Sequence, residues 1–365
     1  MTRVAKEVSR LLNFLRRLRL ARARYGRSYP ELLAEFRDLR RNGGFTPKEI
    51  FMADLLKREP RERKRQSTIG KKALIALQRR INPEEAAELV EDKSLFYPLC
   101  RDRGLPIPRL YAVWAPDGGR TAEGVALRTD SDWSALFDSL KAQEIVIKPS
   151  LGVYGCGIRF LRHCGQSWRD ADGRSLSAAD VLQDLRQDPD FDRFVIQERV
   201  TPHASLVDLS ATDYLQTLRV ITGVTGDSDV HILCAEQKII CGTATTSNFA
   251  WGATGNAVSD VDLASGKLGP VFIAREDGVG MDPIARHPVT GKSFDGFVVP
   301  LWDETCDLCR NAALAFLPLR TIGWDVAATP HGPVLIEGNA WWDPHTHARS
   351  MGPVLRYARS MLDAT

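Results

Sequence analysis

The sequence predicts a mixed α+β protein (α+β, or α/β-type) preceded by a basic helical segment, and three observations predict it. Residues 1–80 carry 23 Lys and Arg against 8 Asp and Glu with almost no strand signal, whereas the rest of the chain carries 26 against 38. From about residue 81, short apolar runs alternate with amphipathic stretches, the texture of strands interleaved with helices. The 365 residues suffice for two or three packed units with a sizeable core. The opposite charges of the two parts read as a basic appendage on an acidic body.

In the basic segment, Leu11, Leu12, Phe14, Leu15, Leu18 and Leu20 recur near helical spacing among Arg16, Arg17, Arg19, Arg22, Arg24 and Arg27. That pattern predicts a basic amphipathic helix. A break at Ser28 and Pro30 starts a second helix with Leu32, Leu33, Phe36 and Leu39, ending near Gly43 and Gly44. Pro47 opens a third, before the charged stretch REPRERKRQS. Three readings of residues 1–80 stand open. The segment is a helical domain with a solvated basic face, or a surface that contacts anionic membrane through residues 1–27, or a nucleic-acid site. The last is the weakest, because aromatic side chains that could stack on bases are sparse among the basic ones.

Residues 81–143 read as two helices, a Pro-bounded loop after Gly104, a strand at 110–114 and the helix WSALFDSLKA. Residues 144–200 read as a smaller, lid-like unit: strand EIVIKP, glycine loop SLGVYGCG, strand GIRFLR, helix AADVLQDLR and strand FVIQERV. Residues 201–365 read as a larger unit. It holds the hairpin TLRVITGVT and VHILCAEQKII, a helix near 304–317, strands IGWDVAAT and PVLIEGNA, and a closing helix at 353–362.

Composition narrows the function classes. No apolar run approaches the roughly 18–20 residues that cross a bilayer, and the charged opening MTRVAKEVSR is not a secretory signal. Seven scattered cysteines, an odd count, fit reduced thiols in a cytoplasm better than a disulfide framework. The lone CxxC of Cys306 and Cys309 falls on an amphipathic helix without a second Cys or His pair. It reads as two small residues facing a neighbour rather than as a zinc or redox site.

Chemistry concentrates at three places. Lys148 ends an apolar strand and precedes Gly152, Gly155 and Gly157. A cation at fixed reach beside a loop whose backbone N–H groups can approach closely suits phosphates, although the order of lysine and glycines is not that of a P-loop. Asp325 lies on one strand, and Glu337 and Asn339 on the next. Side chains alternate with period two, so Glu337 and Asn339 share a face and Asp325 lies opposite them. Three oxygen donors among buried apolar neighbours suit magnesium. Arg219 sits inside the apolar strand TLRVITG and needs an anion, either a phosphate or a carboxylate such as Asp325 or Glu337. The glycine-rich segment 247–269 reads as a loop on the acceptor side. Trp251, Trp341 and Trp342 are candidates to stack on a ring, and Asp343, His345 and His347 to shape the pocket.

Taken together, DKSLFYPLCRDRGLPIPRL, VIKPSLGVYGCGI, TLRVITG and IGWDVAATPHGPVLIEGN resemble the ATP-grasp superfamily. More narrowly, they are similar to its sugar-transfer-associated group, related to alpha-L-glutamate ligases. The resemblance covers roughly residues 85–350. It implies two α+β subdomains that clamp ATP, with one or two Mg2+ ions. Lys93 and Lys148 would hold the α- and β-phosphates, and Gly152, Gly155 and Gly157 would close over the β/γ end. Gln197, Glu198, Arg199 and Val200 would form the adenine hinge, Glu198 and backbone groups reading the base edge, and His203 would serve the ribose or substrate. Arg219 would act with Lys148 in catalysis, and Asp325, Glu337 and Asn339 would carry the metal. In place of the family's usual N-terminal α/β domain the chain has basic helices.

The resemblance implies an ADP-forming ligase that joins a small-molecule or glycan carboxylate to an amine or thiol through an acyl phosphate. It implies a place in cell-surface polysaccharide or peptide modification, in the cytoplasm or peripheral at the inner face of the membrane. A phosphotransferase acting on a hydroxyl and a non-catalytic ATP-binding scaffold are the alternatives.

Overall fold

The computed structural model describes residues 3–59, 68–140, 143–152, 155–165, 167–343 and 351–363. The charged run at 60–67 and the pair His345 and His347 lie outside the described residues.

The predicted helices form where capping and periodicity ask for them. Ser28, Thr46, Thr129 and Ser177 each cap a helix by accepting from the backbone N–H three residues on, while that residue's carboxylate answers the cap's own N–H. The basic segment folds as helices Arg3–Tyr25, Tyr29–Arg41, Pro47–Met52 and Lys71–Ile81. The first three close on a small core of Leu18, Ala21, Leu32, Leu39, Ile50 and Phe51, joined by Val279 of the body. This segment is not a detached appendage. Gly280 donates its N–H to the Phe51 carbonyl, and Arg24 pairs with Asp277 at 2.7 Å. Asn82, just past the fourth helix, donates to the carbonyls of Thr321 and Ala340.

The strands form two sheets, and every pairing between named strands is antiparallel, which makes the fold α+β. The first sheet runs β3-β2-β1-β8-β4-β5-β6-β7. Its strands are β1 Leu110–Trp114, β2 Gly119–Thr121, β3 Ala126–Leu127, β4 Glu144–Pro149, β5 Arg159–Cys164, β6 Ser167–Arg169, β7 Ser175–Leu176 and β8 Phe194–Glu198. Because β1 pairs with β8, the strand at 110–114 belongs to the same sheet as residues 144–198. One face buries Ile145, Ile147, Phe194 and Ile196 against helices Asp130–Ser139 and Ala178–Arg186.

The second sheet runs β13-β12-β11-β10-β9-β14-β15. Its strands are β9 Thr217–Thr225, β10 Asp229–Ile239, β11 Ala257–Val261, β12 Leu268–Ala274, β13 Met281–Ile284, β14 Thr321–Thr329 and β15 Gly332–Asn339. Strand β11 and the start of β12 occupy part of the segment expected to be a loop. Its serines and small residues pair because Ala257, Val258, Ser259 and Val261 are buried between β10 and β12. Helix Trp302–Ala315 covers one face of this sheet through Val220, Trp324 and Val326. Cys306 and Cys309 lie in that contact as free thiols, and burial raises the Cys309 thiol well above its ordinary pKa.

Candidate functional site

The opposite face of the second sheet is covered at one end by Trp342 and by helices Lys71–Ile81 and Met351–Asp363. The rest of it meets β4, β5 and β8 of the first sheet around a cavity of about 350 Å³. Strand alternation decides which residues reach it. On β4, Ile145 and Ile147 point into the helix-covered core, so Val146 and Lys148 face the cavity. On β14, Trp324 and Val326 point at the covering helix, so Asp325 faces the cavity.

Register then lines up charge across four strands. Glu236 pairs with Arg219, Arg219 with Asp325, and Asp325 with Glu337. Arg219 grips Asp325 with both arms, Nε to Oδ1 at 2.7 Å and a terminal nitrogen to Oδ2 at 2.9 Å. Lys238 reaches the same Oδ1 at 2.9 Å. Burial opposes charge on Asp325, but Arg219 and Lys238 outweigh it and hold the carboxyl well below the usual carboxylate range. Glu337 is freer, with a quarter of its side chain exposed and Lys93 Nζ at 3.4 Å. Asn339 lines the same wall and donates its amide to the Gly323 carbonyl at 3.3 Å.

Lys148 differs from its neighbours. It is 5% exposed, and among the described residues it forms no ion pair. Its Nζ donates to the Tyr97 hydroxyl at 2.5 Å, and that hydroxyl donates to the Ile336 carbonyl at 2.7 Å. Burial and then nearby Lys93 push the ammonium down to about 7, with Glu337 and Asp325 resisting. A second lysine is held beside it by local geometry. Asp92 caps helix Lys93–Asp102 by accepting from the Ser94 N–H, and the Lys93 N–H donates to the Ser150 carbonyl. This staples the start of the helix to the end of β4 and brings Lys93 Nζ within 3.4 Å of the Gly152 carbonyl.

Val146, Ile158, Phe160, Leu215 and Ile336 give the lining an apolar slot, and strand register sets Val146 between Phe160 and Gln197, at the start of residues 197–200. The charged side chains there are engaged elsewhere. Glu198 Oε1 accepts from the Arg109 N–H at 2.8 Å, and Arg199 pairs with Glu144 at 2.5 Å and Asp213 at 2.8 Å. Near the charged wall, Thr245, Thr246, Ser247 and Asn248 line the cavity together with Trp341, Trp342 and Asp343. Asp343 pairs with Lys71 at 2.8 Å.

The structure thus gathers Lys93, Lys148, Gly152, Gly155, Gln197, Glu198, Arg199, Val200, Arg219, Asp325, Glu337 and Asn339 around one cavity. Gly157 and His203 do not line it. Gly157 has φ +74, and a Cβ there would come within 2.8 Å of Pro149 Cγ and 2.9 Å of the Phe191 ring, so it shapes the base of the loop. His203 caps helix Ala204–Ser210, its Nδ1 accepting from the Ser205 N–H at 3.3 Å. Trp251 is likewise outside the lining, in a short turn with φ 53.

Sequence reasoning missed Lys238, Tyr97 and Lys71. Lys238 was detectable by the argument that singled out Arg219, a cation inside an apolar strand. Nothing local marks Lys71, which reaches the cavity through packing alone, or Tyr97, which is buried behind Lys148 and holds its Nζ.

The chain matches the family model described as sugar-transfer associated ATP-grasp over residues 73–356. No curated protein matches it. Among solved structures it is similar to the ATP-grasp ligase PsnB complexed with a phosphomimetic variant of minimal precursor, Mg and ADP. That alignment has 18% identity and a TM-score of 0.38, covering 77% of this chain and 61% of the other, so the chain spans less than two thirds of PsnB. It is also similar to an L-amino acid ligase from Bacillus licheniformis, with 11% identity and a TM-score of 0.34 over 69% of this chain and 41% of the other. For the D-alanine–D-alanine ligase from Bacillus anthracis the values are 10% and 0.40 over 77% of this chain and 67% of the other. The family match spans well over half of the chain, and the protein is a member of the sugar-transfer associated ATP-grasp family.

Proposed function

We propose that this protein is an ADP-forming, magnesium-dependent ligase that activates a carboxylate with ATP and passes the acyl group to an amine or thiol. The observation that carries the reading is Lys148, a buried cation with no carboxylate partner among the described residues, facing a cavity shared with Lys93, Arg219 and Lys238. Burying such a charge without an anion is costly, and a polyphosphate supplies the anion.

The adenine ring takes the apolar slot. The Glu198 and Arg199 side chains are spent on Arg109, Glu144 and Asp213, and their N–H groups on the Arg109 and Glu144 carbonyls. The base edge is therefore left to the Val200 N–H and the main-chain carbonyls beside it. Lys93 and Lys148 hold the α- and β-phosphates under the loop of Gly152 and Gly155. Glu337 and Asn339 are hard oxygen donors on one strand. Asp325, on the next, has both oxygens already bonded to Arg219 and Lys238 and one Oδ2 lone pair left. The three would hold magnesium with Glu337 as the leading ligand. When bound, the metal screens charge on the phosphates.

The carboxylate oxygen attacks the γ-phosphorus, giving an acyl phosphate and ADP. The amine or thiol then attacks the carbonyl carbon, loses its proton and expels phosphate. Arg219 and Lys148 stabilise the charge that develops on the transferred group. Covering the site keeps water from the acyl phosphate. The acceptor end is the wall of Thr245–Asn248, Trp341 and Trp342, suited to a small molecule or glycan, in cell-surface polysaccharide or peptide modification. A need for ATP and the free thiols support a cytoplasmic setting.

The test is release of ADP and phosphate from Mg-ATP against a panel of amino acids, amino sugars and polysaccharide fragments. Substrate-stimulated release of both, lost in Glu337→Gln, is expected. ADP without free phosphate would make the protein a phosphotransferase, and tight ATP binding with no release would make it a scaffold. A folded Glu337→Gln variant with normal turnover would remove Glu337 from the metal site.

A further inference from the structure

Helix Arg3–Tyr25 carries two apolar stripes, and the fold uses one of them. Phe14, Leu18, Ala21 and Tyr25 pack into the core of the N-terminal helices, with Phe14 edge-on to Phe36 at 5.0 Å and to Phe51 at 5.8 Å. The second stripe is Val8, Leu11, Leu12 and Leu15, at the i, i+3, i+4, i+7 spacing of one helix face. These side chains are 51%, 58%, 61% and 50% exposed, and every residue from Val8 to Asn13 is exposed. The stretch from Val8 to Asn13 therefore presents a surface to solvent. Arg10, Arg16, Arg19 and Arg22 are exposed around the stripe, and Glu7 is the only acidic residue of the helix.

We propose that this helix docks the protein on an anionic lipid bilayer, with the second stripe in the acyl boundary and the arginines at the headgroup phosphates. The charge of the helix selects this occupant. A contiguous exposed apolar row is unfavourable in water and marks an interaction surface. Eight cations against one anion suit a negative surface that also accepts leucines, which is an anionic bilayer. A second copy of the chain would set arginine against arginine across a two-fold axis. Nucleic acid would satisfy the arginines but leave four aliphatic side chains in water, and none of the four can stack on a base. The proposal is independent of the reaction assigned to the cavity.

The experiment is sedimentation of the full chain with vesicles of phosphatidylcholine alone and of phosphatidylcholine mixed with phosphatidylglycerol. The protein is expected to follow the mixed vesicles only, less so at high salt. Leu11→Glu with Leu15→Glu is expected to lower partitioning about tenfold or more, with unchanged circular dichroism and melting temperature, because those side chains lie outside the core. Arg10→Gln, Arg16→Gln and Arg19→Gln together should also weaken it. Three results would overturn the proposal: equal association with both vesicle types, full binding by the leucine variant, or a stable dimer in solution that the leucine variant turns into a monomer.

Discussion

Lys148 and Asp325 are opposite solutions to the same difficulty of carrying charge inside a protein. Asp325 is satisfied internally by Arg219 and Lys238. Replacing it with Asn would leave two buried cations short of their shared counter-charge. The expected cost is about 3–5 kcal/mol of stability, read from denaturant unfolding, and a change below about 1 kcal/mol would contradict the buried triad.

Lys148 has no carboxylate partner among the described residues, only the Tyr97 hydroxyl and the Ile336 carbonyl. Its ammonium is depressed to about 7 from an ordinary value of 10.5. Between those two values the unfolded chain binds the extra proton, so this group makes the ligand-free protein more stable as pH rises through that window. Binding a polyphosphate restores the charge. At pH 8, nucleotide binding should take up about one proton, seen as heats that differ between buffers of unlike ionisation enthalpy. Identical heats would mean that Lys148 is already charged, or that it does not meet the phosphates.

At the scale of elements, the site depends on strand ends and on the turn between β4 and β5. Lys148 and Lys93 converge because Ser150 ties the end of β4 to the start of helix Lys93–Asp102. Gly157 closes the turn at a left-handed φ and packs directly on Pro149 and Phe191. Gly157→Ala should cost about 1–3 kcal/mol through strain and overlap. It should also weaken nucleotide binding, measured by titration, without touching the cavity. A variant of unchanged stability and affinity would show that the turn relaxes freely. The row Glu236, Arg219, Asp325 and Glu337 is likewise a property of β10, β9, β14 and β15 in register. A slip of one residue in any of them would turn its charge into the helix-covered core.

For the whole molecule, the cavity is lined by both sheets, which share a core through Leu110, Val113 and Val195, while the first sheet keeps a further core under its own helices. A nucleotide that touches both should act as a bridge. At a concentration 100 times its Kd it should add about 2.7 kcal/mol to the stability of the folded state. Mg-ADP is therefore expected to raise the melting temperature, with a smaller rise in Glu337→Gln. A rise of equal size in that variant would detach Glu337 from nucleotide binding. The free thiols are spread through this architecture without a bridge, and no described helix is long and apolar enough to cross a membrane.

The sequence alone determined the alternation of strands and helices, the positions of Lys148, Arg219, Asp325, Glu337 and Asn339, and the chemistry those residues suit. These are local properties, set by side-chain period, caps and the cost of charge inside an apolar strand. Tertiary structure decided what sequence spacing does not encode. It paired Arg219 with Asp325 across 106 positions, brought Lys71 to the cavity and Tyr97 up behind Lys148, and withdrew Gly157 and His203 from it. It also buried one stripe of the first helix and left the other exposed. Each of these outcomes depends on which distant surfaces come together, because burial and pairing, unlike helical or strand period, are set by neighbours far away along the chain.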